Sequence, residues 1–140
     1  MNYYSLLHNS PKTTFKNAVV NGIAPDRGLY FPENIAPLSK HFIDHISEYT
    51  NHEIAFEVIK QFVGDEIPEE KLKEIIVKTV SFDFPTVKVD ENIASLELFH
   101  GPTMAFKDVG ARFMARCLGY FNQEVKRDVT VLVATSGDTG

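Results

Sequence analysis

A chain of 140 residues with 14 basic and 19 acidic side chains carries a net charge of −5 at pH 7. Its basic residues form no stripe or cluster, which argues against a nucleic-acid partner. With 44% hydrophobic and 24% charged residues, the composition is that of a globular chain able to bury a sizeable core. No apolar run reaches the roughly 20 residues of a membrane span, and the start MNYYSLLHNS has neither the basic nor the apolar segment of a secretory signal. The single cysteine, Cys117, excludes an internal disulfide. These features point to a cytoplasmic protein with no membrane partner. They carry no signature of an oligomeric state.

In chain order, Met1–Tyr4 reads as a short strand, and Thr13 or Thr14 caps a brief helix through Val20 that Gly22 ends. Pro25-Asp-Arg-Gly28 is turn chemistry, and Leu29-Tyr-Phe31 is extended before Pro32. Ser39 starts a helix containing Phe42, Ile43 and Ile46. His41 and His45 lie four apart on it, but no third ligand accompanies them, so no metal is expected. A second helix starts near Thr50, with Ile54, Ala55, Val58, Ile59 and Phe62 on one face and Gly64 as its stop. Pro68 is placed in the first turn of a third helix, led by Glu69 and Glu70, with Leu72, Ile75 and Ile76 facing inward.

Ser81-Phe-Asp-Phe-Pro-Thr86 breaks the helical pattern and sets a boundary: a mostly helical region over residues 1–82, and a second unit over residues 83–140. Val87–Val89 and Ile93–Phe99 read as strands joined by an Asp90-Glu-Asn92 turn. A long helix spans Ala105 to Tyr120, with Phe106, Val109, Phe113, Cys117 and Phe121 recurring at steps of three or four. Val129–Ala134 is a further strand. Strand, helix, strand at this spacing is a βαβ unit, so the strands at 93–99 and 129–134 are expected to run parallel. The chain stops six residues after that strand, which reads as the N-terminal fragment of a longer enzyme.

That unit brings two segments to the carboxyl edge of a sheet, where ligands bind in open α/β folds. One is His100-Gly-Pro-Thr-Met-Ala-Phe-Lys107, with Lys107 in the first turn of the helix. A lysine beside Asp108 at a helix start is commonly a solvated residue. The helix dipole and desolvation at a strand edge would instead favour the neutral amine, the form that attacks a carbonyl. The other is Ser136-Gly-Asp-Thr-Gly140, whose hydroxyls and glycine-rich backbone suit an anion such as a carboxylate. Asp108 and Arg112, four apart, are expected to pair on the helix surface.

The run from His100 to Phe113, the Ala134–Gly140 loop, and the upstream pieces Gly28-Leu-Tyr-Phe-Pro32 and Phe62-Val-Gly-Asp-Glu-Ile-Pro68 closely resemble the threonine synthases. These are pyridoxal-phosphate (PLP) enzymes of the tryptophan-synthase-β-like group. The resemblance implies an α/β fold in which a small helical N-terminal region precedes a PLP domain on a largely parallel sheet. It implies a lyase converting O-phospho-L-homoserine and water to L-threonine and phosphate, the last step of threonine biosynthesis. Lys107 would be the catalytic lysine that holds PLP, with Asp138 facing the ring hydroxyl oxygen. Ser136 and Thr139, with Thr135, would bind the substrate carboxylate, and His100 would sit beside the substrate phosphate.

The cradle for the PLP phosphate and the partner of the pyridine nitrogen lie further along the chain in that family. The 140 residues alone are therefore expected to bind PLP poorly and to be inactive. A related PLP lyase (threonine dehydratase or a cysteine synthase) shares the lysine logic, although the Gly28–Pro32 segment favours threonine synthase. A non-catalytic homologue that binds a phosphorylated ligand would carry the same motifs.

Overall fold

The computed structural model describes residues 1–123, 128, 130–132 and 137. Strand β1 (Asn2–Ser5) pairs antiparallel with β2 (Thr13–Thr14) on one side and β3 (Tyr30–Pro32) on the other. The period of two along β1 buries Tyr3 and Ser5 and turns Tyr4 outward. This sheet tempers the expectation of a mostly helical start.

The first four helices begin where a hydroxyl satisfies an orphan amide, or at a proline. The Thr14 hydroxyl accepts the Asn17 N–H at the start of α1 (Phe15–Asn21), which Gly22 ends at φ +70°. Ser39 does the same for Phe42 at the start of α2 (Lys40–Asp44). Ile46 falls in a separate 3₁₀ turn, Ile46–Glu48, because His45 leaves helical geometry at φ −114°, ψ 18°. Helix α3 (Asn51–Val63) opens with a reciprocal capping box between Thr50 and Glu53 and closes at Gly64, φ +61°. Pro68 caps α4 (Glu69–Thr79) from outside rather than lying in its first turn: its ψ of 145° is extended, and its carbonyl accepts the Leu72 N–H at 2.9 Å.

The two upstream motifs are structural. In Phe62–Pro68, Gly64 supplies the left-handed stop of α3, and Ile67 is buried. Glu66 between them accepts the N–H groups of Phe15 and Lys16, at 2.8 and 2.9 Å, closing the start of α1. In Gly28–Pro32, Gly28 lies against the fully buried Ser5, where an added Cβ would come within 2.0 Å of the serine Oγ. Ser5 and Gly28 both donate to Asp26 Oδ1, while the Asn9 N–H donates to Oδ2. The Ser5 hydroxyl, first among these donors, holds the Asp26 carboxyl below the usual carboxylate range.

After residue 80, β4 (Thr86–Asp90) and β5 (Ile93–Leu96) form an antiparallel hairpin around the expected Asp90-Glu-Asn92 turn. Strand β5 ends at Leu96, three residues short of the expected Phe99, and every residue of both strands is exposed. All strand pairings among the described residues are antiparallel. Most of the strand expected at 129–134 lies outside the described residues, and residues 130–132 form no strand. The parallel pairing is thus not among those described.

Helix α5 (Asp108–Asn122) returns to the first part of the chain and packs against α1 and α4. Its Cys117 and Phe121 share one core with Tyr3, Phe15, Val63, Leu72 and Ile76. The apolar periodicity of α5 is met at Cys117 and Phe121, which are buried, and at Val109 and Phe113, which are half-buried. Phe106, expected on the same stripe, lies before the helix and is 65% exposed.

Burial pushes the Cys117 thiol from an ordinary 9.0 up to about 12, and burial aided by the charge of Glu66 does the same for the Tyr3 phenol, from 10.0 to about 12. Tyr3 also donates its hydroxyl to the Phe62 carbonyl at 2.7 Å, a bond that favours the protonated form. Between the ordinary value and about 12, the unfolded chain has lost protons that the folded chain keeps, so stability falls as pH rises. Full stability is expected below pH 9, with a falling urea midpoint above it. Cys117→Ala should remove the part of that slope that begins first, a difference read directly from urea curves at graded pH.

Candidate active site

The residues between β5 and α5 form a chain of tight turns built on one buried carboxylate. Asp108, 3% exposed, is the first residue of α5. Its Oδ1 accepts the Thr103 hydroxyl at 2.7 Å and its Oδ2 accepts the Thr103 N–H at 3.0 Å. Gly101 lies directly beneath it: a Cβ there would sit 2.3 Å from Asp108 Oδ2 and 2.9 Å from its Cβ and Cγ. The glycine is required by this close approach. Met104 N–H donates to the Gly101 carbonyl at 3.0 Å, and Met104 takes φ +56°, a left-handed conformation costly for a residue with a side chain.

Lys107 immediately precedes α5 at φ −71°, ψ −12°, and its carbonyl accepts the Ala111 N–H at 3.0 Å. The side chain is exposed, so the desolvation expected at a strand edge is not found there. Its ammonium lies 5.9 Å from the centre of the Phe106 ring and forms no ion pair among the described residues. No carboxylate blocks the side chain among the described residues, so its amino group is accessible to an aldehyde such as that of PLP. Beside the turn is an open concavity of about 420 Å³, lined by Ser95, Leu96, Leu98, Phe99 and residues 104–106. His100, at the start of the turn, pairs with Glu97 through Nε2 at 2.7 Å and stacks on Phe99.

Four of the residues singled out from the sequence, Thr135, Ser136, Asp138 and Thr139, lie outside the described residues. Lys107 and His100 stand on the same turn segment. The expected surface pair between Asp108 and Arg112 does not form. Asp108 turns back into the turn, and Arg112 Nη2 donates to the Lys78 carbonyl and to Ser81 Oγ, both at 2.7 Å, with its guanidinium over Phe82. Arg112 thus ties α5 to the segment leaving α4. Sequence reasoning missed the Gly101–Thr103–Asp108 constellation. Its available signal was a glycine and a hydroxyl residue placed just ahead of an acid at a helix start.

His41 and His45 stack at 4.4 Å, with His45 Nδ1 against the His41 carbonyl. Among the described residues no cluster of three or more His, Cys, Asp or Glu side chains is arranged to hold a metal. Among the same residues no helix is long and apolar enough to cross a membrane.

Comparison with known proteins gives concordant results. The family described as "Threonine synthase N terminus" matches residues 2–80. Threonine synthase from Haemophilus influenzae is 41% identical over 140 residues, which is 100% of this chain and 32% of that protein. Its counterpart from Escherichia coli is 39% identical with the same coverage. The chain therefore spans about a third of the length of the curated relatives it matches. The crystal structure of PLP-bound threonine synthase from Brucella melitensis superimposes with a TM-score of 0.84 at 33% identity, covering 90% of this chain and 28% of that one. The Escherichia coli structure does so with a TM-score of 0.80 at 36% identity, covering 86% and 28%. The α/β fold is shared with these structures.

Proposed function

The chain belongs to the threonine synthase family, and from that membership we propose that the protein converts O-phospho-L-homoserine and water to L-threonine and phosphate with PLP. The observation that carries this reading is the exposed side chain of Lys107, set at the end of a hydrogen-bonded turn directly ahead of α5. Bound PLP supplies an electron sink for carbanion chemistry. Lys107 would hold the cofactor through its Nζ, and the same amine would take the proton from the substrate Cα and return protons along the carbon chain. The chemistry is loss of phosphate from the γ carbon followed by addition of water at the β carbon, which makes the enzyme a carbon–oxygen lyase acting on a phosphate ester.

Ser136 and Thr139, with Thr135, bind the substrate carboxylate in this reading. Asp138 would serve the cofactor and His100 the substrate phosphate, as the resemblance implies. The boundary is kept at residues 82/83, with a largely parallel sheet in the second unit and the protein in the cytoplasm. On the same reading, the 140 residues alone would bind PLP weakly and be inactive.

The test uses a polypeptide of the relatives' length that carries this sequence. Incubated with PLP and O-phospho-L-homoserine, it should release threonine and phosphate in equal amounts. Phosphate without threonine would assign a different PLP lyase. Neither product would overturn the proposal in favour of a ligand-binding homologue.

A further inference from the structure

We propose that Asp108 is a positioning residue for Lys107: by accepting both donors of Thr103, it locks residues 101–107 in the conformation that presents the lysine amine to a carbonyl. The proposal rests on the reading of Lys107 as the PLP lysine. Three observations carry it independently of any relative. The Asp108 carboxylate is almost wholly buried, yet its described hydrogen bonds reach back to the turn, to Thr103 N–H and Oγ1. Gly101 is cut away to admit it, since any side chain there would strike the carboxylate. Met104, inside the clamped turn, is held in a left-handed conformation that persists only where its surroundings over-determine it.

The geometry links clamp to lysine by covalent adjacency. Asp108 N–H donates to the Ala105 carbonyl at 3.1 Å, so both ends of the segment 103–108 are fixed through one residue. Lys107 has no other restraint on its side chain than the Phe106 ring among the described contacts. The direction in which its Cα–Cβ bond leaves the chain is set by this turn. Two donors converge on the carboxylate, one on each oxygen. An asparagine could still accept the Thr103 N–H and donate its NH₂ to the Thr103 hydroxyl, whereas an alanine offers neither group a partner.

The experiment follows PLP capture by the polypeptide of the relatives' length, with borohydride quenching at timed intervals and peptide mass spectrometry at Lys107. Modification of Lys107 by acetic anhydride is measured in parallel, because a small reagent needs no orientation. D108A is expected to slow PLP capture on the order of 10²-fold, the scale of an ångström's misplacement. Its acetylation of Lys107 should not slow. T103A should also slow capture, while T103S, which keeps both donors, should restore it. If D108A does not fold, the T103A and T103S pair decides alone.

Capture at the wild-type rate in D108A, or in T103A where that pair decides, would overturn the proposal. Equal losses in T103S and T103A would do the same, as would parallel losses of capture and acetylation. Failure of the wild-type polypeptide to capture PLP at Lys107 would instead remove the functional reading itself, and this proposal with it.

Discussion

Replacing Lys107 by alanine is expected to lower the rate of threonine formation by at least about 10²–10⁴-fold, the range contributed by a positioned proton-transfer group. Loss of the covalent hold on the cofactor adds to that. The residue does two jobs in the proposed reaction, binding the aldehyde and moving protons at the substrate carbons, and alanine can do neither. The change is expected to leave the fold intact: the side chain is exposed and forms no ion pair among the described residues. Its contact with the Phe106 ring, itself 65% exposed, contributes little. A circular-dichroism melt unchanged from the parent, together with coupled loss of threonine and phosphate, is the expected pair of results. Turnover retained within a few-fold would remove Lys107 from the chemistry.

Leu72→Ala is expected to have the largest effect on stability. Leu72 is 2% exposed on the inner face of α4, in the cluster that joins α1, α3, α4 and α5. Truncation there removes apolar burial and leaves a cavity that helices on several sides cannot readily close, a loss of about 2–5 kcal/mol. That is a large share of the roughly 5–15 kcal/mol that holds a typical domain. The control is Leu96→Ala on the exposed hairpin, where Leu96 is 58% exposed and the change should stay within about 0.5 kcal/mol. Urea unfolding of the 140-residue chain separates the two. A Leu72→Ala midpoint equal to that of Leu96→Ala would mean that the four helices do not share one core.

The helices were legible because their signals are local. Thr14, Ser39 and Thr50 sit as caps where their hydroxyls predict, and Gly22 and Gly64 end helices at positive φ. The inward faces of α4 and α5 follow their apolar spacing through Leu72, Ile75, Ile76, Cys117 and Phe121. Long-range pairing was harder to read. β2 is only two residues, Thr13–Thr14, and its pairing with β1 is decided across the connecting residues 6–12 rather than by any propensity of its own. The start of α5 was placed three residues early, at Ala105, because the apolar step from Phe106 to Val109 mimics a helical stripe. The buried Asp108 overrides that step by folding residues 101–107 into turns.

The candidate site divides in the same way. Lys107 stands out in the sequence by its place after a strand and ahead of a helix, which is a local pattern, and by the resemblance of the run around it to the threonine synthases. The acid that fixes its turn was read as a surface partner of Arg112, since spacing four on a helix suggests a pair. Burial decided otherwise: a carboxylate taken out of water needs donors, and the backbone and hydroxyl of Thr103 supply two. Sequence periodicity carries no information about which side of the helix start is closed by the preceding turn. Only the packed arrangement does.

The central claim, that Lys107 is the residue that holds PLP, is tested most directly by borohydride reduction of the PLP-loaded polypeptide of the relatives' length, followed by tryptic mapping. A pyridoxyl group on Lys107 blocks cleavage after it, so the account predicts one continuous peptide, Val89–Arg112, bearing the added mass. Cleavage after an unmodified Lys107, with the label on another lysine or on none, would contradict it.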